Sequence, residues 1–192
     1  MNVITLFANG FEEIEALTPV DFLRRENIDV KIVALDDYCD RNTGLVTSSH
    51  NVSIKYEMLL SEFLASPFDV DAVIIPGGMP GSSNLGHTKE VIDLIKNLDK
   101  QNKLICAICA APIAVLAQTG ILQGKNVTCF PGFENNLDDY LLFTDGGSKE
   151  KLLKDTVLDT SKNVVQDKNL ITANGPKSAL EFAFKIIEAL KR

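Results

Sequence analysis

Residues 104–112 read Leu104-Ile105-Cys106-Ala107-Ile108-Cys109-Ala110-Ala111-Pro112, and this stretch decides the fold. Leu104 to Ile108 is apolar at every position, as expected of a central strand buried on both faces of a parallel sheet. Ala111 to Gln118 then reads as a helix. Pro112 suits its first turn, where the missing N–H costs nothing, and Gly120 is placed as its C-terminal stop. A buried strand running directly into a helix is the start of a βαβ unit.

The same alternation extends outward in both directions. Val3 to Phe7, Val30 to Leu35 and Val70 to Ile75 are strand candidates, the last stopped by Pro76-Gly77-Gly78. Glu12 to Arg25 is a helix with Ile14, Leu17 and Phe22 toward one side; Pro19 is expected to kink it or to mark its true start. Lys89 to Asp99 repeats Val91, Ile92, Leu94, Ile95 and Leu98 at helical period. Leu45 to Ser48 and Val52 to Tyr56 read as paired short strands. Val127 to Phe130 and Leu170 to Ala173 are two more strands, and Ser178 to Leu190 is an amphipathic helix. Pro131 to Lys154 is polar, carries Gly146-Gly147 and lacks a clear period, so a loop region with short irregular elements is expected. Strands separated by helices predict an α/β fold with a parallel sheet covered on both faces.

A chain of 192 residues suits one domain, 1–192, with a substantial core. The 26 acidic and 19 basic side chains leave a formal charge of −7, which argues against binding nucleic acid or an anionic membrane. No apolar run is long enough to span a bilayer, and the start lacks the pattern of a secretory leader, so a cytoplasmic location is expected. Four cysteines are then expected to be reduced thiols.

In open parallel sheets ligands bind beyond the carboxyl ends of the strands. Four segments fall there: Asn9-Gly10 through Glu15, Pro76-Gly77-Gly78, Cys109 to Pro112, and Asn174-Gly175-Pro176. Cys109 stands at the strand-to-helix junction with only small residues after it, the layout of a nucleophile elbow. The following helix N-terminus is expected to favour its thiolate. A free cysteine is more often a small buried hydrophobe; its position at this junction favours function. Cys106 and Cys109 form a Cys-x-x-Cys pair, but three residues along a strand separate them by roughly 10 Å on opposite faces, too far for a disulfide at about 7 Å. Cys106 is assigned to the core. Cys39 and Cys129 are isolated, so no zinc site and no other metal site is expected; Cys129 is expected to close a strand and to be structural.

Glu12, Glu13 and Glu15 open the first helix. Carboxylates there complement the helix N-terminus, the reading preferred for Glu12 and Glu13. A carboxyl turned inward against an apolar wall would instead keep its proton and could serve the sulfur as acid or base. Gly77-Gly78 could present amides to an oxyanion, with the Ala110 N–H as a further donor. The chain lacks the Gly-Lys-Ser/Thr of a phosphate loop and the Gly-x-Gly-x-x-Gly of a dinucleotide site, and no cofactor is expected. His50 and His87 are read as surface or loop residues, with a dyad to Cys109 left open because partners meet in space.

These residues resemble the ThiJ/PfpI superfamily. The resemblance lies in Phe7-Ala8-Asn9-Gly10-Phe11-Glu12-Glu13-Ile14-Glu15-Ala16, Pro19-Val20-Asp21-Phe22-Leu23-Arg24-Arg25, Ile75-Pro76-Gly77-Gly78, Ala107-Ile108-Cys109-Ala110-Ala111-Pro112, and Gly175-Pro176 with Glu181-Phe182-Ala183. It covers nearly the whole chain in order and is strongest to the parkinsonism-associated branch with its ThiJ-like and deglycase members. It implies a flavodoxin-like three-layer α/β/α sandwich of the class I glutamine amidotransferase-like type, a homodimer and a reactive Cys109. It implies that Glu15 is the protonated partner of that cysteine, and that Gly77, Gly78 and Ala110 form an oxyanion-type pocket. Departures fall at Phe130, where a histidine is common, at Asn174, at Lys177 and at His50; Ala110 replaces the histidine of the protease-like branch. Substrate preference is expected to differ accordingly.

The activity expected is that of a cofactor-independent cysteine enzyme of the glyoxalase or deglycase type. It would act on reactive dicarbonyls or glycated adducts. The alternatives are a redox sensor or stress chaperone whose Cys109 oxidises to sulfinate, and an amidase or protease, which would need a histidine beside Cys109.

Overall fold

Side chains along the strands divide between two cores, and this division builds the layers. The computed structural model describes residues 1–192. In chain order it contains β1 (Asn2–Phe7), α1 (Glu13–Arg25), β2 (Asp29–Ala34), β3 (Leu45–Thr47), β4 (Ser53–Lys55), β5 (Met58–Leu59) and α2 (Leu60–Ala65). Next come β6 (Ala72–Ile75), α3 (Gly81–Gly86), α4 (Lys89–Lys100) and β7 (Leu104–Ile108). The rest comprises β8 (Asn126–Val127), α5 (Lys149–Leu152), β9 (Val157–Leu158), β10 (Val164–Asp167), β11 (Leu170–Ala173) and α6 (Ala179–Leu190).

The central sheet runs β10-β11-β7-β6-β1-β2-β5. Every pairing in it is parallel except β10 with β11. Successive residues of a strand face opposite ways: Ile4, Leu6, Val73, Ile75, Ile105 and Ala107 enter one apolar cluster, while Val3, Phe7, Ala72, Ile74, Cys106 and Ile108 enter the other. Ala16, Val20 and Leu23 of α1, with Phe182, Ile186 and Ile187 of α6, close the second cluster. Leu60 and Phe63 of α2, and Val91, Ile92, Ile95 and Leu98 of α4, close the first. The result is a flavodoxin-like α/β/α sandwich of the class I glutamine amidotransferase-like type. From β1 the chain adds strands to one side and then returns to the other. The order therefore reverses between β1 and β6, where open sheets place ligands.

Several local expectations need correction. Helix α1 spans Glu13–Arg25 with Pro19 inside it, so Pro19 does not mark its start. The strand expected at Val127 to Phe130 is reduced to Asn126–Val127, paired with β9 in a separate two-stranded sheet. The reason is that the Thr128 amide donates to the Thr172 hydroxyl (2.9 Å) instead of to a backbone ladder. The helix after Cys109 is not regular: Pro112–Leu116 is wound as a π-type turn and Ala117–Thr119 as a 3₁₀ turn, ending at Gly120 with φ +80°. Such bulges concentrate at functional sites. Buried Gln118 then ties this helix to its neighbours. Its Nε2 donates to the Gly86 carbonyl, and its Oε1 accepts from the Leu142 and Phe143 amides.

The short strands β3 and β4 pair with each other, as expected, and run antiparallel. No helix is long and apolar enough to cross a membrane.

Candidate active site

Cys109 follows the last residue of β7 and has φ +65°. A side chain in this left-handed region is disfavoured by roughly 1–3 kcal/mol and persists only when its surroundings fix it. Here both sides of the residue are fixed. Its N–H donates to the Ala173 carbonyl of β11 and its carbonyl accepts from the Phe130 N–H, both at 2.8 Å. The turn thus lifts a half-buried thiol above the sheet, as an elbow requires.

Glu12 is the N-cap of α1, its Oε2 accepting from the Glu15 N–H at 2.7 Å. Glu15 lies one turn further in and is fully buried. Its Oε2 accepts from the Gly77 N–H at 3.0 Å, and its Oε1 has no partner. With Oε2 serving as acceptor, Oε1 is the atom left to carry a proton. The absence of a side chain at Gly77 brings acid and sulfur together. A Cβ there would lie 2.3 Å from Glu15 Oε2, 2.5 Å from Cys109 Cβ and 3.0 Å from Cys109 Sγ. Gly78, at φ +90°, leaves equally little room: a Cβ would lie 2.3 Å from the Glu12 nitrogen and 2.5 Å from the Gly10 oxygen.

Three amides were expected to serve an oxyanion. The Gly77 N–H is taken by Glu15. The Ala110 and Gly78 amides face the Cys109 sulfur and favour its ionised form. Against them, burial and the charge of Glu15 push the thiol well above its usual range. The expectation of a thiolate set simply by the helix N-terminus is therefore replaced by a coupled pair. Burial raises Glu15 from its ordinary 4.5 to about 8, and a protonated Glu15 removes the charge that opposes the thiolate. The two groups share protons and titrate as a unit.

The pair makes a pH prediction. Ionisation of Glu15 as pH rises through about 8 restores the charge that opposes the thiolate, so the rise of Cys109 alkylation by iodoacetamide with pH should flatten there, and Glu15→Gln should remove that inflection. The same shift links to stability. A folded-state pKa raised from 4.5 to about 8 means that the contribution is complete below 4.5 and is lost as pH rises through 8. Urea midpoints should therefore fall over this window, by up to ~1.4 kcal/mol per pH unit, with that component absent in Glu15→Gln.

Phe130 and Asn174 border the site. Phe130, Pro131, Asn174, Gly175, Pro176 and Lys177 line an open pocket of about 480 Å³; of these, Pro131 alone had no place among the residues expected at the site. Asn174 is committed inward, its Oδ1 accepting from Ser178 Oγ and its Nδ2 donating to the Thr160 carbonyl. His50 is exposed, with Nδ1 3.0 Å from Glu13 Oε2; that hydrogen bond and the Glu13 charge raise its pKa. Glu12, Glu13 and His50 place potential ligand atoms within 4.8 Å of one another, the one grouping of metal-ligating type. His87 lies beside the Tyr140 ring at 5.8 Å. The groups acting on Cys109 are Glu15 and the two amides, with neither histidine among them. Cys106 is in the core, as expected. Cys129 is buried next to Glu134 rather than closing a strand.

The DJ-1/PfpI family matches residues 1–189. The chain is 36% identical to protein dj-1beta of Drosophila melanogaster over 190 residues, 98% of this chain and 89% of the fly protein. The crystal structure of that fly protein superposes with a TM-score of 0.80 at 34% identity, covering 98% and 89% of the two chains. A structure described as oxidised DJ-1 of Toxoplasma gondii gives 0.78 at 32% identity, covering 98% and 90%.

Proposed function

The chain belongs to the DJ-1/PfpI family, and from that premise we propose that it converts 2-oxoaldehydes to 2-hydroxy acids, with Cys109 as nucleophile and Glu15 as proton carrier. The observation that carries this reading is the buried Glu15 carboxyl, held by Gly77 with its Oε1 unpartnered, against a sulfur on a strained elbow. Sulfur adds to the aldehyde carbon: a C–S bond forms, the carbonyl π pair moves to oxygen, and the thiol proton passes through Glu15 to that oxygen. The Gly78 and Ala110 amides, which face the sulfur, are assigned in this scheme to relieve charge developing on the neighbouring oxygen. Glu15 then takes the proton from the former aldehyde carbon and returns one to the adjacent ketone carbon, while the hydroxyl proton on the former aldehyde carbon moves to the ketone oxygen. One carbon is oxidised and its neighbour reduced, leaving a thioester of a 2-hydroxy acid. Water hydrolyses that ester and restores the thiol. The redox change is internal, so the scheme balances without a cofactor. Glycated adducts that release such dicarbonyls are substrates on the same chemistry. A cytoplasmic homodimer completes the proposal; dimers are common among DJ-1 homologues.

A second reading is oxidation of Cys109 to sulfinate in redox sensing or as part of a stress chaperone, favoured by the oxidised state described for the Toxoplasma relative. One comparison separates them. Purified protein given methylglyoxal should release lactate catalytically without additives. Absence of lactate, together with selective peroxide oxidation of Cys109 seen by mass spectrometry, would replace the enzyme with the sensor.

A further inference from the structure

Phe130 is a large apolar side chain left 45% exposed. It is also tightly positioned. Its N–H is bonded to the Cys109 carbonyl, and its ring lies against the backbone of Gly175, where a Cβ would be 3.2 Å from Phe130 Cδ2. Gly175 has φ +149° and ψ −169°, a conformation essentially restricted to glycine, so both torsion and space keep this position bare. The same absent Cβ would be 4.0 Å from Glu15 Oε1. The pocket beside the ring lies between Pro131 and Pro176, and its Gly175 wall backs onto the buried Glu15 carboxyl. With Asn174 turned inward to Ser178 and Thr160, its walls offer mainly apolar surface.

We infer that Phe130 is a specificity-determining residue and that this protein prefers 2-oxoaldehydes bearing an aromatic ring, arylglyoxals, over methylglyoxal. The inference rests on the dicarbonyl reading above. Sulfur attacks the aldehyde carbon as before, while the ring on the ketone carbon stacks against Phe130. The product is a 2-aryl-2-hydroxy acid, formed with one water and no external oxidant. A methyl group is too small to cover the ring, so the added apolar contact belongs to the aryl substrate alone. Contacts of this size in apolar pockets discriminate by roughly tenfold or more.

The test measures kcat/KM for phenylglyoxal and methylglyoxal with the native protein and with Phe130→Ala, Phe130→Leu and Phe130→Tyr. The native ratio should favour phenylglyoxal by about tenfold. It should persist in the Tyr variant and collapse toward unity in the Ala and Leu variants, the latter guarding against misfolding of the former. A native ratio at or below unity, or one unchanged in Phe130→Ala and Phe130→Leu, overturns the pocket assignment while leaving the chemistry at Cys109 standing. Failure of the native protein to turn over either aldehyde overturns the dicarbonyl reading, and the substrate assignment with it.

Discussion

Cys109→Ser should reduce methylglyoxal turnover by about 10³-fold or more while leaving the far-ultraviolet spectrum and the urea midpoint close to native. The loss follows from the scheme. A hydroxyl is far harder to ionise than a thiol, and burial of this position pushes even the thiol upward. The two amides that face the sulfur offset part of that burden for a thiolate, but they cannot close the much larger intrinsic gap of an alcohol. The fold is preserved because serine is close to cysteine in size and takes the same backbone geometry. The bonds that set the elbow, from Cys109 N–H to Ala173 and from Phe130 N–H to Cys109, are main-chain bonds independent of the side chain. Lactate formation at the native rate by Cys109→Ser would sink the nucleophile assignment.

Gly77→Ala should be damaging for the opposite reason, since it adds atoms to the site. Gly77 lies outside the left-handed region, so alanine meets no torsional objection there. The objection is spatial: the new methyl group would overlap Glu15 Oε2 and Cys109 Cβ, at 2.3 and 2.5 Å. Both neighbours are held by buried or backbone interactions and cannot simply swing away. Relief requires the 76–78 turn to retreat, which stretches the Gly77–Glu15 bond and separates the acid from the sulfur. Overpacking of this kind costs about 1–3 kcal/mol, and misplacement of reacting groups by an ångström costs about 10²-fold in rate. Thermal or urea midpoints and lactate formation should therefore fall together. A variant with native stability and full turnover would mean that acid and thiol need no such proximity.

The sheet was legible where burial leaves a simple record in residue type. Leu104–Ile108 is apolar throughout because it feeds two cores at once, and α4 repeats its apolar residues because one stripe faces the sheet. Helix α3 was missed for a physical reason. Gly81-Ser82-Ser83-Asn84-Leu85-Gly86 has poor intrinsic helix propensity, and its glycine is held by tertiary packing, with a Cβ at Gly86 meeting the Ala114 carbonyl at 2.0 Å. Strand β10 is a half-buried edge, and its turn into β11 has Lys168 at φ +55°, a conformation that a lysine does not advertise. Residues 128–130 look like a strand in composition, but the Thr128 amide is taken by the Thr172 side chain and the Phe130 amide by the Cys109 carbonyl.

At the site, Cys109 and the loops around it could be placed from the order of strands and turns. The inward direction of Glu15 came from family resemblance, because three glutamates at one helix start do not reveal which of them the core encloses. That an inward carboxyl keeps its proton was expected; the strength of its coupling to the thiol was not. It depends on how much water two side chains lose when segments 62 or more residues apart close over them. The division of labour between Gly77 and Gly78 was hidden likewise, since adjacent amides point in directions that only the finished turn defines.

The torsion at Cys109 has an evolutionary corollary. Glycine is the residue that would relax this backbone, so a drifting lineage could gain robustness here by discarding its own nucleophile. A thiol at such a position is therefore expected only where its chemistry outweighs the durability that glycine would return.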